Sequence, residues 1–217
     1  TLDHLSIRHV AAFIGASYGA MVGLQFSARH GARLGKLIAI SGGDSAHPYS
    51  SAWRALQRNI VRLNRHGDNE TAALSLARQL AMLSYRTPEE FAERFATPVQ
   101  LQNDIARSPA ENYLEVCGNK YAAITDTTAF LRLSESIDLH RVNADDIATA
   151  VTLVAIEEDR LVPVETLEAL AQKIGNRCHL KRIRSVFGHD AFLMESAQIA
   201  EILSDALHGK ASLGVAA

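Results

Sequence analysis

The chain has 217 residues, 47% of them hydrophobic, and a formal net charge of −2. That is enough apolar material for one sizeable core, and the near-neutral balance excludes the basic footprint of a nucleic-acid binder, leaving a small molecule as the implied partner. Two cysteines, Cys117 and Cys178, fit no C-x-x-C metal or redox spacing, so no metal site is expected and reduced thiols in a cytoplasmic protein are the default.

The opening Thr1-Leu2-Asp3-His4-Leu5 reads as the tail of a helix already under way, and no cationic segment followed by an apolar one marks a secretory signal. Val10 to Ile14 is an apolar run suited to a buried strand. Ala20 to Ala28 places Met21, Leu24 and Ala28 on one helical face. Val10 to Ala28 lacks charge and approaches bilayer-spanning length, but three glycines, two serines and Gln25 interrupt it, and a strand, turn and helix explain the same punctuation. Gly31 is the helix stop, and Leu37 to Ile40 forms a second strand ending in Ser41-Gly42-Gly43.

From Ser51 to about Arg141 the pattern is helical without clear strand alternation, with Leu74, Ala77, Leu80 and Ala81 as one stripe. Thr87-Pro88-Glu89-Glu90 predicts a helix start with an N-cap, a first-turn proline and a capping-box acid. Strand and helix alternation returns at Val151 to Ile156, followed by a helix with Leu167, Leu170, Ala171 and Ile174 on its apolar face before Gly175. His179 to Val186, with charges interspersed, predicts a strand nearer a sheet edge, and Ile199, Ile202, Leu203 and Ala206 mark a last helix. The division expected is an α/β core over 1–50 and 142–217 with a helical lid inserted at 51–141.

Gly15-Ala16-Ser17-Tyr18-Gly19 falls at the first strand-to-helix junction, where small neighbours let a serine occupy a strained, exposed bend. The following helix points its positive end at the hydroxyl. A serine nucleophile needs a base and a carboxylate to orient that base. Asp159 follows the Val151 to Ile156 strand by three residues, with Glu158 as the competing orienter. Among nine histidines, His189 alone follows a C-terminal strand and a glycine and precedes the last helix. The order Ser17, Asp159, His189 is that of α/β-hydrolases. A nucleophile at position 17 leaves no room for the strands that usually precede such a bend, so these are expected to be missing from this chain. The backbone N–H of Tyr18 is the expected oxyanion donor, and a second donor, expected upstream of the bend, would be missing with them. The isolated chain is accordingly expected to fold poorly or to be nearly inactive.

These segments, together with Met82-Leu83-Ser84-Tyr85-Arg86, Phe91, Arg94-Phe95, Asn112-Tyr113-Leu114, Ser136-Ile137-Asp138-Leu139-His140, Leu161-Val162-Pro163 and Gly188-His189-Asp190-Ala191-Phe192-Leu193, resemble the homoserine O-acyltransferases of methionine biosynthesis, which have the α/β-hydrolase fold with a mostly parallel sheet. Relatives often read Gly-Gly-Ser-Met-Gly-Gly at the bend, so Ala16, Tyr18 and Ala20 are departures. The resemblance implies acyl-CoA as co-substrate with no bound cofactor, an acyl-serine at Ser17, L-homoserine as acceptor and a cytoplasmic homodimer formed through the helical layer. It also implies that Arg86 binds the acceptor carboxylate and Asp190 its ammonium group, although Arg86 also reads as a surface ion pair and Asp190 as a helix N-cap. A succinyl donor needs an arginine near Ser17, for which Arg160 is the candidate. Leu161, where succinyl users tend to carry arginine, leans to acetyl. A serine acyltransferase, an esterase and a non-catalytic scaffold are the competing readings.

Overall fold

The computed structural model describes residues 1–64, 67 and 69–208. Residues 65, 66 and 68 of the expected lid and 209–217 of the expected core lie outside the described residues. In chain order the elements are β1 (Val10–Ala16), α1 (Tyr18–His30), β2 (Leu34–Ile40), α2 (Pro48–Leu63), α3 (Glu70–Tyr85), α4 (Pro88–Arg94), β3 (Gln100–Gln102), β4 (Ile105–Arg107), α5 (Pro109–Ala122), α6 (Thr127–Asp138), β5 (Ala150–Ile156), α7 (Val164–Ile174), β6 (Cys178–Ile183), α8 (Ala191–Met194) and α9 (Ser196–His208).

Four strands form a parallel sheet in the order β1-β2-β5-β6. The central pair is apolar almost throughout because helices cover both faces. On one face Ala20 and Leu24 of α1 and Leu170 of α7 pack on Leu37 and Leu153. On the other, Ile199 and Ile202 of α9 pack on Ile38, Ile40, Val154 and Ile156. The sheet's carboxyl ends therefore share one rim, where ligands of open α/β sheets bind. β6 is an edge strand, as its interspersed charges predict, but it runs over Cys178–Ile183 and ends before Val186. Beyond Ile183 the backbone leaves the sheet, and Glu158 takes the Ser185 N–H at 2.8 Å. The first residues make a hydrogen-bonded turn, Ile7 N–H to Leu2 carbonyl, where a helix tail was expected. Among the described residues no helix is long and apolar enough to cross a membrane.

Helices α2 to α6 stand between β2 and β5 in the chain, and α2, α3, α5 and α6 pack around Val61, Leu74, Ala77, Phe130 and Leu131. Of the expected stripe, Leu74, Ala77 and Ala81 are buried and Leu80 only partly so. The layer is not wholly helical, because β3 and β4 pair antiparallel around Asn103 and Asp104, both with positive φ. That turn suits the twist of a hairpin. Its strands are three residues long and mostly exposed, so they leave no alternating apolar signature. At α4 the Thr87 hydroxyl accepts the Glu90 N–H at 3.1 Å, as predicted. The Glu90 carboxylate does not close a capping box there, since it turns to Arg94 at 3.2 Å instead.

Candidate active site

Ser17 sits between β1 and α1 with φ 51° and ψ −115°, a backbone region that side chains seldom occupy. Its N–H donates to the Ile40 carbonyl at 2.8 Å, which ties the bend to the end of β2. The bend closes only because neighbouring positions lack a side chain. A Cβ on Gly15 would lie 2.3 Å from the Gly19 carbonyl, and one on Gly42 would lie 2.7 Å from the Ser17 carbonyl oxygen. Gly19, expected to supply room as well, faces open space. The Tyr18 N–H opens α1 and has no acceptor within the helix, so it remains available to an oxyanion.

His189 is carried on a single turn, Gly188–Asp190, after β6. Its Nε2 is 2.8 Å from Ser17 Oγ, and its Nδ1 is 2.7 Å from Asp159 Oδ2. The other Asp159 oxygen accepts the N–H groups of Leu161 at 2.8 Å and Val162 at 3.0 Å. Asp159 is 4% and His189 5% exposed, so the pair is shielded from water while Ser17 opens to a cleft. The rings of Tyr85 and Phe192 flank the imidazole at 5.9 and 5.6 Å between centroids. Burial, partly offset by Arg78, pushes the Tyr85 phenol up, so this neighbour stays neutral. Glu158 is committed elsewhere, to the Ser185 N–H at 2.8 Å and Arg184 at 3.2 Å. The choice left open between two acids falls on Asp159.

Arg86 and Asp190 come together, Nε to Oδ2 at 2.9 Å, with both side chains mostly buried. Asp190 is beside His189 in the chain, but neither Arg86 nor Asp190 is in the lining of the cleft that Ser17 opens to. Asp190 makes no side-chain cap bond to α8, so the N-cap reading gives way to an ion pair. Glu90 stands on the other side of Arg86 at 3.7 Å, and the Phe187 ring lies beneath the guanidinium. Leu161 lines the cleft next to Ser17. Arg160 does not, because it is exposed at the turn after Asp159, and its candidacy as a residue close to Ser17 is corrected accordingly.

Sequence reasoning missed the side of this cleft formed by α2 and α6. Trp53, Arg54 and Gln57 from α2 and Ile137 from α6 face the same space as Ser17 and His189. Arg54 meets Asp138 at 2.7 Å, and Arg58 meets the other Asp138 oxygen at 2.6 Å. Burial opposes ionisation of Asp138, yet hydrogen bonds from Ser51, Arg54 and Arg58 hold its carboxyl below the ordinary value. Two arginines at i and i+4 on one helix face were the available signal. Ser41 at the end of β2 was also missed. It has φ 49°, and its buried hydroxyl lines the cleft with no partner among the described residues.

A family profile for the alpha/beta hydrolase fold matches residues 1–196. The chain is 53% identical over 206 residues to a homoserine O-succinyltransferase of Xanthomonas campestris pv. campestris, covering 95% of this chain and 56% of that protein. It is 31% identical over 215 residues to a homoserine O-acetyltransferase of Thermus thermophilus, covering 93% of this chain and 54% of that one. The structure of homoserine O-acetyltransferase from Bacillus anthracis superposes with a TM-score of 0.88 over 97% of this chain and 63% of that chain, at 14% identity, which speaks to the fold alone. The chain thus spans about half the length of the curated relatives it matches. Both the fold and the resemblance stated from sequence are borne out.

Proposed function

This chain belongs to the α/β-hydrolase fold family, and we propose that it carries acyl transfer from an acyl-CoA to the hydroxyl of L-homoserine by a ping-pong course through an acyl-serine at Ser17. The observation that carries this reading is the unbroken relay of Ser17, His189 and Asp159, with contacts of 2.8 and 2.7 Å, at the floor of a cleft. The acceptor is taken from the printed names of the relatives and from the adjacent opposite charges of Arg86 and Asp190, which suit a zwitterion.

In the first half-reaction Ser17 Oγ attacks the thioester carbonyl while His189 Nε2 takes its proton. The oxyanion forms beside the Tyr18 N–H. The carbon–sulfur bond breaks, and the proton passes from His189 to the CoA sulfur. In the second, the acceptor hydroxyl attacks the acyl-serine, His189 takes that proton, and the same proton returns to Ser17 Oγ as the ester leaves. Asp159, fixed by two backbone N–H groups, keeps the Nδ1 proton of His189 pointed toward itself, so that Nε2 stays free to act as base. We read α2 to α6 as a lid that keeps water from the acyl-serine. A place in methionine biosynthesis, a cytoplasmic location and a homodimer through the helical layer belong to the same proposal. Exposed Leu76, Leu83 and Val116 on that layer support the last.

The test is to incubate the purified protein with acetyl-CoA or succinyl-CoA, with and without homoserine, and to follow CoA release and O-acylhomoserine. Acyl-Ser17 seen by mass spectrometry without acceptor, and O-acylhomoserine with it, is the expected result, at a rate as low as the sequence leads one to expect of this chain alone. Release of free acid instead identifies a hydrolase, and preference for serine identifies a serine acyltransferase. Failure of Ser17 to react with a fluorophosphonate, in protein that circular dichroism shows to be folded, identifies a non-catalytic scaffold.

A further inference from the structure

We propose that Arg54, on the lid helix α2, reads the distal carboxylate of a dicarboxylic acyl donor, making the acyl subsite of this cleft selective for a succinyl-like group. The inference rests on the acyl-transfer reading of the Ser17 site and names the acyl class it would take. Among the described residues lining the cleft, Arg54 is the one arginine or lysine, and it shares that lining with Ser17 and His189. A four-carbon acyl group bound at Ser17 therefore has one permanent cation within the same walls.

The charge balance around Arg54 argues that it serves more than the fold. Arg54 and Arg58 share a single carboxylate, Asp138, with side chains 15%, 12% and 18% exposed respectively. Two cations against one anion leave one positive charge that water reaches poorly, an arrangement that an arriving carboxylate relieves. Arg54 spends Nε and Nη2 on Asp138 and Ser51, and its guanidinium carries five N–H donors in all. The planar fork is thus held from behind by Asp138 while donors remain for a ligand. The surrounding Trp53, Gln57 and Ile137 give the acyl chain an apolar and weakly polar wall. Leu161, whose resemblance-based lean is to acetyl, lines the same cleft, and the proposal departs from that lean by placing the carboxylate on Arg54.

The experiment measures kcat/KM for succinyl-CoA and acetyl-CoA in wild type, Arg54→Leu, Arg54→Lys and Arg160→Leu, with homoserine as acceptor. Each ratio is taken on one sample, so the folded fraction cancels. A lost charge-assisted hydrogen bond predicts a succinyl-to-acetyl ratio lowered by roughly tenfold or more in Arg54→Leu, with partial recovery in Arg54→Lys. Arg160→Leu is expected to keep the wild-type ratio. An unchanged ratio in Arg54→Leu overturns the inference, as does a ratio that moves with Arg160 or a rise in KM for homoserine that is equal with both donors. A parallel burst assay with p-nitrophenyl succinate and p-nitrophenyl acetate, blank-subtracted, reads Ser17 acylation without CoA or acceptor. If no homoserine is acylated but the anionic ester still depends on Arg54, the function proposed above fails while this subsite stands.

Discussion

Arg86 and Asp190 hold each other at 2.9 Å, although they are the two residues assigned to opposite ends of a zwitterionic acceptor. Under the proposed function, an amino acid bound here would exchange one internal ion pair for two, its carboxylate on Arg86 and its ammonium on Asp190. Glu90 stands 3.7 Å from Arg86 as a second carboxylate on the same guanidinium. Because the bidentate fork, and not the charge alone, positions a carboxylate, Arg86→Lys is expected to raise KM for homoserine on the order of tenfold. CoA release in the absence of acceptor should stay near wild type. Steady-state kinetics against homoserine together with a single-turnover acylation assay check this, and a loss of equal size in acylation would place Arg86 elsewhere.

The relay predicts a common fate for its members. Ser17→Ala, His189→Gln and Asp159→Asn are each expected to lower acyl transfer by about a thousandfold or more, and the double variant Ser17→Ala/His189→Gln by little beyond either single change. Fluorophosphonate labelling should vanish in the first and slow sharply in the other two. Full labelling of Asp159→Asn would show that the carboxylate is not needed to hold the imidazole.

The glycines at the bend are not equivalent. Gly15→Ala drives a Cβ to 2.3 Å from the Gly19 backbone and is expected to destabilise the fold by about 1–3 kcal/mol while displacing Ser17. Gly19→Ala meets open space in a helix and is expected to be neutral or stabilising by about 0.5–1 kcal/mol. Thermal unfolding of both variants checks the contrast.

Acid should loosen the joint between the helical layer and the end of β2. His140 is buried with Nε2 at 3.1 Å from the Gly43 carbonyl, and burial holds its pKa below the ordinary 6.5. The unfolded chain then binds more protons than the folded one below that pH, so the stability His140 contributes is present above about 6.5 and is lost as pH falls toward the depressed folded value. His140→Gln, which can still donate to Gly43, is expected to flatten the decline of Tm between pH 7 and pH 5. An identical slope in the two proteins would remove His140 from the account.

Punctuated apolar runs made the core readable. Val151 to Ile156 predicts β5 within one residue, and the bend around Ser17 follows from small residues between a strand and a helix. The meeting of Ser17, His189 and Asp159 was legible because chain order places all three at strand ends. Two things were not. The hairpin at β3 and β4 is held by its turn, with exposed strands that carry no apolar rhythm. Arg54 enters the cleft through tertiary packing of α2 against α6, and its partner Asp138 lies more than eighty residues away. Proximity in sequence pointed to Arg160, which is one residue from Asp159 yet faces solvent. Adjacent residues on a turn point in different directions, whereas distant residues on packed helices share a wall.

The positive φ of Ser17 has a consequence for what this fold could discard. Only glycine rests comfortably in that conformation, so Ser17→Gly should melt at a higher temperature than Ser17→Ala while both are inert. A descendant of this chain released from chemistry would gain by giving up its hydroxyl to hydrogen, and under the proposed function the discomfort retained at position 17 is the thermodynamic mark of a residue kept for its reactivity.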